Sequence, residues 1–508
     1  MALLKMEHIT KVFPGVVAND SITFTLNTGE VHALVGENGA GKTTLMKILY
    51  GLHKPDSGSI VINDKQISIK NPKDAIRQGI GMVHQHFMLI PPFTVLENIV
   101  LGEETHLSGL LRHSEPELKI KELMQENKLN VDLAAKVEEL PVGIQQRVEI
   151  LKILYRKATI LVFDEPTAVL TPQEAAELFK TFAEMKKQGK GIIFISHKLD
   201  EVLNIADRIT VIRRGKVIQT LNIKEATKAL IAELMVGKPV LLKVDNPEIE
   251  KGDIILDIRD LSFVNERGIQ VLSEINISIH GGEIYGIAGV EGNGQMELVQ
   301  AIASKMNLKS GEILLSGHTI KDLDIRKRRE AGLGHIPEDR QKYGLLLSFP
   351  LSDNMVLGRH HKSPFVKRFQ IINKQEIKKF AREKIEKFDV RTPSEMIPAN
   401  ALSGGNQQKL IVARELSADP KLLVASQPTR GLDIGATEFI YQQLVGAKAA
   451  GKAVLLVSAD LDEIMSLSDT IGVIYKGKII KEFKRSETTK EEVGYYMMGE
   501  KVHEEAKV

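Results

Sequence analysis

At 508 residues the chain is too long for one ordinary hydrophobic core, and length alone gives it about two to four domains. Apolar residues at 43% and charged residues at 26% exclude disordered and collagen-like classes, while 68 basic against 66 acidic side chains exclude a bulk basic footprint for nucleic acid and leave only a local patch open. The lack of cysteine excludes disulfides, thiolate metal sites and cysteine nucleophiles, and it fits the cytoplasm as the default reducing compartment. Lys5 and Glu7 interrupt the N-terminus before a signal-peptide core can form, and no run of about 18 apolar residues occurs in the sequence. Membrane association is therefore expected only through a partner.

Phe13, in Thr10-Lys-Val-Phe-Pro-Gly15, is the first candidate, an aromatic ring that either stacks on a base such as adenine or simply packs. Val31, Ala33 and Val35 predict a strand that runs into Gly36-Glu-Asn-Gly-Ala-Gly41-Lys42-Thr43, followed by the helix-like run Thr44 to Gly51. This is the G-x-x-x-x-G-K-[ST] pattern. Its glycines let backbone N–H groups close around phosphate oxygens at a helix N-terminus, its Lys reaches the β- and γ-phosphates, and its Thr hydroxyl binds Mg²⁺. Gln85, in Met82-Val-His-Gln-His-Phe87, follows a strand, where a carboxamide can sense metal or water. His84 and His86 flank it, but no third ligand stands at a useful spacing, so a metal site there is disfavoured.

Further on, the apolar run Ile160 to Phe163 ends in Asp164-Glu165. An Asp there can hold a metal shell while the next Glu orients or deprotonates water; alone, the pair would read as two surface acids at a strand exit. The run Ile192 to Ile195 leads into Ser196-His197, which brings an imidazole to the same end of the sheet, although a lone His is more often structural. Strands apolar on both faces, separated by amphipathic segments, predict an α/β fold with a mostly parallel sheet covered on both sides.

The chain then repeats itself. Glu30 to Gly41 resembles Glu283 to Gly294, Leu140-Pro-Val-Gly-Ile-Gln-Gln-Arg147 matches Leu402-Ser-Gly-Gly-Asn-Gln-Gln-Lys409, Leu161 to Thr167 matches Leu423 to Thr429, and Ile195 to Val202 matches Val457 to Ile464. Blocks matched in the same order point to duplication, with a first domain over 1–237, a linker over 238–252 containing Pro239 and Pro247, a second domain over 253–499, and a polar tail over 500–508.

These residues resemble the ATP-binding cassette (ABC) family over nearly the whole chain, most diagnostically through Leu402-Ser-Gly-Gly-Asn-Gln407-Gln408. The resemblance implies two tandem P-loop NTPase domains, each with a helical signature subdomain, that pair head to tail so that one phosphate loop faces the other half's signature. It implies ATP and Mg²⁺ as cofactors. Phe13 would stack on adenine; Gly36, Glu37, Asn38, Gly39, Ala40, Gly41, Lys42, Thr43 and Thr44 would bind nucleotide with Ser403, Gly404, Gly405 and Gln407. Thr43, Gln85 and Asp164 would serve the metal, and Glu165, His197 and Gln85 the chemistry. Partners implied are transmembrane permease subunits on the cytoplasmic face of the membrane and, indirectly, an extracytoplasmic substrate-binding protein, with no nucleic acid. Gln427-Pro-Thr-Arg-Gly-Leu-Asp433 and the tandem arrangement look like importers of simple sugars and nucleosides, and Val83 to Asn98 with Gly289 to Gln295 is most similar to the nucleoside branch.

The second half lacks every family group that would carry charge to phosphate, metal or water, although Asp433 persists there where the first half has Thr171. Gln295 stands for the Lys, Met296 for the Thr, Ser426-Gln427 for the Asp-Glu pair, Ala459 for the His and Glu338 for the loop Gln. The first half keeps those groups but carries Pro141 where the signature has Ser. The losses sort onto one composite site and leave the other complete. A soluble tandem cassette acting on ribosomes is the alternative. It would be expected to keep two competent sites and a long charged linker, and Arg326-Lys-Arg-Arg329 is its best local basic run. A DNA-repair cassette would need zinc cysteines and a long coiled-coil insertion.

Overall fold

The computed structural model describes residues 2–84, 87–104, 106–107, 110–111, 114–167, 170, 172–196, 198–237 and 245–499. The chain divides into two compact units, Met1–Val240 and Leu241–Val508. In the first, a six-stranded sheet runs in the order Lys216–Asn222, Arg208–Arg213, Val31–Val35, Gly191–Ile195, Ile160–Asp164, Ile80–Val83. All neighbours are parallel except the edge pair Arg208–Arg213 and Lys216–Asn222. Every residue of Val31–Val35, Ile160–Asp164 and Gly191–Ile195 is buried, as strands covered on both faces require. The second unit repeats the order with Leu333–Ile336, Leu422–Ser426, Ala453–Ser458, Ile284–Ala288, Thr470–Tyr475 and Lys478–Lys484.

Each unit also carries a four-stranded antiparallel sheet that the apolar-run reading did not anticipate: Val16–Asn27, Ala2–Phe13, Ser57–Ile62 and Lys65–Ile67 in the first unit, and Gln270–His280, Ile254–Val264, Ser310–Leu315 and His318–Thr319 in the second. Its strands alternate, with Leu4, Met6 and Ile9 fully buried on the inner face. A helical part is built from Val95–Val100, Ser114–Asn127 and Val142–Tyr155, and from Leu351–Met355, Lys374–Lys387 and Gly404–Leu416 in the second unit. In both units a buried Asn fastens the chain leading into it. Asn98 accepts from Ile90 N–H at 2.7 Å and donates to its carbonyl at 3.1 Å, and Asn354 does the same with Leu346 at 2.8 and 3.0 Å.

Residues 245–252, within the stretch read as a linker, are fastened to the second unit. Lys448, fully buried, donates to Asn246 Oδ1 at 2.8 Å, to the Pro247 carbonyl at 2.7 Å and to Asp469 at 2.6 Å, and Lys251 pairs with buried Glu283 at 2.6 Å.

The basic run Arg326 to Arg329 does not form a single solvated face. Arg328 is fully buried and donates to the carbonyls of Ala301, Ile302, Lys321 and Leu323 at 2.6 to 2.9 Å, closing the C-terminal turn of helix Gln295–Ala303. Arg329 pairs at 2.7 Å with Glu415, itself fully buried and also held by Arg414. These guanidinium groups hold the fold together, so the run offers no continuous RNA-binding patch. Substituting Arg328→Met leaves several buried carbonyls without a donor and is expected to cost about 3 kcal/mol. Equilibrium denaturation of the full chain should show the loss, with amide protection falling first in Gln295–Ala303.

Candidate functional site

The phosphate loop leaves the central strand Val31–Val35 and enters helix Lys42–Leu49, whose N-cap Gly41 has φ 106°. A Cβ on Gly41 would lie 2.2 Å from the Ala18 carbonyl oxygen, and one on Gly36 would lie 2.2 Å from that of Ile212, so both positions require glycine. The loop is thus pressed against both sheets of the unit. Asn19, fully buried on the antiparallel sheet, donates to the Gly41 carbonyl at 3.0 Å, and Gly215 N–H reaches the Ala40 carbonyl at 3.0 Å. Lys42 curls over its own loop, with Nζ 2.7 Å from the Gly36 carbonyl and 2.9 Å from that of Glu37. Phosphate oxygens would be stronger acceptors for the same ammonium.

Asp164 ends strand Ile160–Asp164, which Gly191–Ile195 separates from Val31–Val35, and it accepts a hydrogen bond from Thr43. Burial, and then the charge of Glu165, push its carboxyl above the usual carboxylate range, against the pull of Lys42 and the Thr43 hydroxyl. The fold therefore brings Lys42, Thr43, Asp164 and Glu165 together. Glu165 sits at φ 49° and donates its N–H to the Ile195 carbonyl at 3.0 Å, a left-handed conformation that is costly for a non-glycine residue. Behind it, Thr167 donates to Glu201 at 2.6 Å, and Lys198 pairs with Glu201 at 3.2 Å.

Phe13 is half-buried at the end of its strand, edge-on to His53 at 5.5 Å. Gln85, His86 and His197 lie outside the described residues. His84 packs edge-on against Tyr50 at 5.6 Å, and among the described residues no group of three or more His, Cys, Asp or Glu is arranged to hold a metal ion.

The signature residues open helix Gly404–Leu416. Ser403 is exposed at its N-cap, makes no capping bond, and accepts from Asn406 Nδ2 at 3.0 Å. Gly405 is buried, and a Cβ there would lie 3.1 Å from that of Ala436. Gln407 is directed inward, 3% exposed, and donates to the Ala399 carbonyl at 3.1 Å. The adjacent Gln408 donates to the Pro428 carbonyl at 2.8 Å, as Gln146 does to that of Pro166 at 2.7 Å. These amides tie each signature helix to the loop after Glu165 or Gln427.

Residues 19–168 and 272–430 match the family model described as ABC transporter, once in each unit. The chain belongs to the ABC transporter family. It is 47% identical to the guanosine import ATP-binding protein NupO of Bacillus subtilis over 98% of this chain and 97% of that one. Identity is 46% to the nucleoside import ATP-binding protein NupA of Lactococcus lactis, over 99% of both chains, and 43% to the glucose import ATP-binding protein TsgD13 of Haloferax volcanii, over 98% and 96%. This ABC ATPase couples ATP hydrolysis to transport. A ribosome-acting cassette finds no support among these relatives.

The second cassette keeps the backbone of the ABC ATPase site and rewires its side chains. Gly294 has φ 103°, matching Gly41. Gln295 donates to the Val290 carbonyl at 2.8 Å, as Lys42 does to the Glu37 carbonyl, but it also accepts the Asn293 N–H at 3.0 Å and so occupies a loop amide. Arg430 pairs with Glu291 of this loop at 3.2 Å and with Glu338 at the position of Gln85, so an internal cation joins the loop to that position. Sequence reasoning gave no role to Arg430, Asn19 or the Glu behind each site. Asn19 is nonetheless visible as a polar residue at an inward position of a strand.

The surroundings of that acid differ between the cassettes, half-buried Glu201 in the first and buried Glu463 in the second. Thr429 donates to Glu463 at 2.8 Å, but Asp460 stands where Lys198 neutralises Glu201. Burial, with a smaller push from Asp460, raises the Glu463 carboxyl from 4.5 to about 7 against the hydroxyls of Ser458 and Thr429. Because the folded value is the higher one, the fold is favoured by the protonated acid. That contribution is fully present below about 4.5 and is lost as pH rises through about 7. The second cassette should therefore lose on the order of 3 kcal/mol across that window. Glu463→Gln should flatten the pH dependence of its unfolding temperature, measured by scanning calorimetry.

Proposed function

We propose that this ABC ATPase energises uptake of a nucleoside or simple sugar through a separate transmembrane permease, from the cytoplasmic face of the membrane, with an extracytoplasmic substrate-binding protein delivering the solute. The relatives at 46–47% identity, named for guanosine and nucleoside import, favour the nucleoside. The observation that carries the catalytic part is the convergence of Lys42, Thr43, Asp164 and Glu165 in the first cassette, against Gln295, Met296, Ser426 and Gln427 in the second.

In this reading one ATP is hydrolysed per cycle at a site made of the first phosphate loop and the second cassette's signature. Thr43 and the desolvated Asp164 suit Mg²⁺, which when bound would neutralise charge on the phosphates. The loop amides from Gly36 to Thr44 and the Lys42 ammonium hold the phosphates, with Phe13 under the base. Glu165 takes the proton of the attacking water, and Gln85 and His197 are assigned to water and γ-phosphate contacts. Ser403 with the Gly404 and Gly405 amides closes the site. The retained groups divide cleanly between one complete set and one in which both contributors are damaged. Pro141 holds φ −56° and ψ 152°, close to the −63° and 157° of Ser403, so it preserves the turn while removing both a hydroxyl and an N–H donor.

Glu165→Gln is expected to leave ATP binding intact and reduce turnover at least about 10²-fold, because no other carboxylate replaces the base. Phosphate release alongside equilibrium nucleotide binding checks it, and near-normal turnover would remove Glu165 from the role.

In the assembled transporter, Ser403→Ala should lower steady-state ATPase activity by up to about 10²-fold through loss of one preorganised donor. Pro141→Ser should leave the rate nearly unchanged, since the loop it would serve lacks the Lys and the metal ligands. The double variant should behave like Ser403→Ala. The opposite ranking would show that the pairing is wrong. Stimulation of the same ATPase by a binding protein loaded with nucleoside, compared with one loaded with sugar, tests the substrate class.

A further inference from the structure

The most exposed large apolar side chain among the described residues is Phe369, at 83%, and Ile371 and Ile372 beside it are 60% and 51% exposed. All three sit on one short hairpin of the second cassette's helical part. Val366 bridges Ile372, and Lys367 N–H donates to the Ile371 carbonyl at 2.7 Å. At its tip Phe369 and Gln370 both adopt left-handed backbone, φ 63° and 59°, which bulky side chains avoid. The hairpin stands on a packed base. Phe365, 5% exposed, meets Phe380 edge-on at 5.0 Å, and Arg359 lies over both rings at 5.9 and 5.1 Å. A rigid base and a strained turn thus hold an aromatic ring out in water.

The charge around the tip says what covers it. Between Arg359 and Lys379 there are seven Lys and Arg against one acid, Glu376. Arg368 lies 5.3 Å over the Phe369 ring, and Lys367 precedes it. An aromatic and two aliphatic side chains beside exposed Lys367 and Arg368, in a segment rich in cations, match an anionic bilayer surface, with the apolar side chains entering the acyl boundary and the cations remaining among phosphate headgroups. We propose that the Val366–Ile372 hairpin is a membrane-surface anchor that inserts Phe369 into an anionic phospholipid leaflet. This rests on the membrane-peripheral reading above, and it gives the ATPase a lipid contact of its own in addition to the permease.

The chain contains no tryptophan, so Phe369→Trp places a single fluorescent reporter at the tip. With the full chain and vesicles of phosphatidylglycerol and phosphatidylcholine, its emission should move to shorter wavelength and be quenched by brominated acyl chains. Pure phosphatidylcholine should leave it unchanged, and added salt should reverse the shift. Vesicle co-sedimentation of the otherwise native chain should weaken about ten-fold for Phe369→Ser. It should weaken comparably for Lys367→Glu combined with Arg368→Glu, with ATP binding preserved in each variant as the control for folding. No spectral change with anionic vesicles overturns the proposal, as does co-sedimentation insensitive to these substitutions. A shift that appears only when the permease is reconstituted in the vesicles also overturns it, and assigns the hairpin to a protein partner. Loss of ATP binding by the unsubstituted chain would instead count against the ATPase reading, so the two failures are distinguishable.

Discussion

Backbone amides can surround a phosphate only where no side chain stands in the way, and in this chain that requirement is met by wedging a loop between two sheets. Gly36 and Gly41 each come so close to a carbonyl of one sheet that a methyl group would sit 2.2 Å from the oxygen. The parallel sheet supplies Ile212 and the antiparallel sheet Ala18, so the loop's shape depends on both being in place. Asn19 secures the contact from the antiparallel side. The antiparallel sheet is therefore part of the nucleotide site, although none of its strands carries a catalytic side chain. Two strands across from Val31–Val35, the end of Ile160–Asp164 sets Asp164 and Glu165 beside Lys42 and Thr43 through the parallel register, in which Ile195 pairs with both Leu34 and Asp164.

The two cassettes separate scaffold from chemistry. Strand order, glycine conformations, the buried Asn ahead of the helical part and the Gln that ties the signature helix are common to both. What differs is where charge resides. In the first cassette an ammonium and a hydroxyl face a desolvated carboxylate, an arrangement with the charges to suit a phosphate-bound cation. In the second, Gln295 satisfies its loop internally and Arg430 supplies the positive charge from within the protein. Such a loop meets its own hydrogen-bonding and charge needs from within the protein.

Much of this was legible in the sequence where residue type and spacing are dictated by chemistry. The phosphate-loop pattern, the Asp164-Glu165 exit and their loss at Gln295, Met296, Ser426 and Gln427 needed no coordinates, and continuous apolar runs such as Ile192 to Ile195 fixed the parallel sheet through its double-sided burial. Features that depend on which way a polar side chain points were not legible. Arg328 lies in a run that reads as a solvated basic face, yet its guanidinium closes a helix end inside the unit. Lys198 and Asp460 look like interchangeable surface charges until half-buried Glu201 and fully buried Glu463 are seen behind them. Gln407, grouped with the nucleotide contacts by motif, spends its amide on a carbonyl of the fold.

The left-handed backbone at Glu165 recurs at Gln427, φ 49° and 47°, with the N–H bonded to the neighbouring strand in each case. Strain at an active site is commonly attributed to the demands of catalysis. Here it persists in the cassette that has lost its base, its metal ligand and its lysine, so catalysis does not maintain it. The strained turn belongs to the way this sheet hands its chain to the next loop, and the carboxylate of Glu165 uses a position that the architecture itself aims. A decayed copy inside the same molecule thus serves as an internal control, one that tells architecture from adaptation without a second protein.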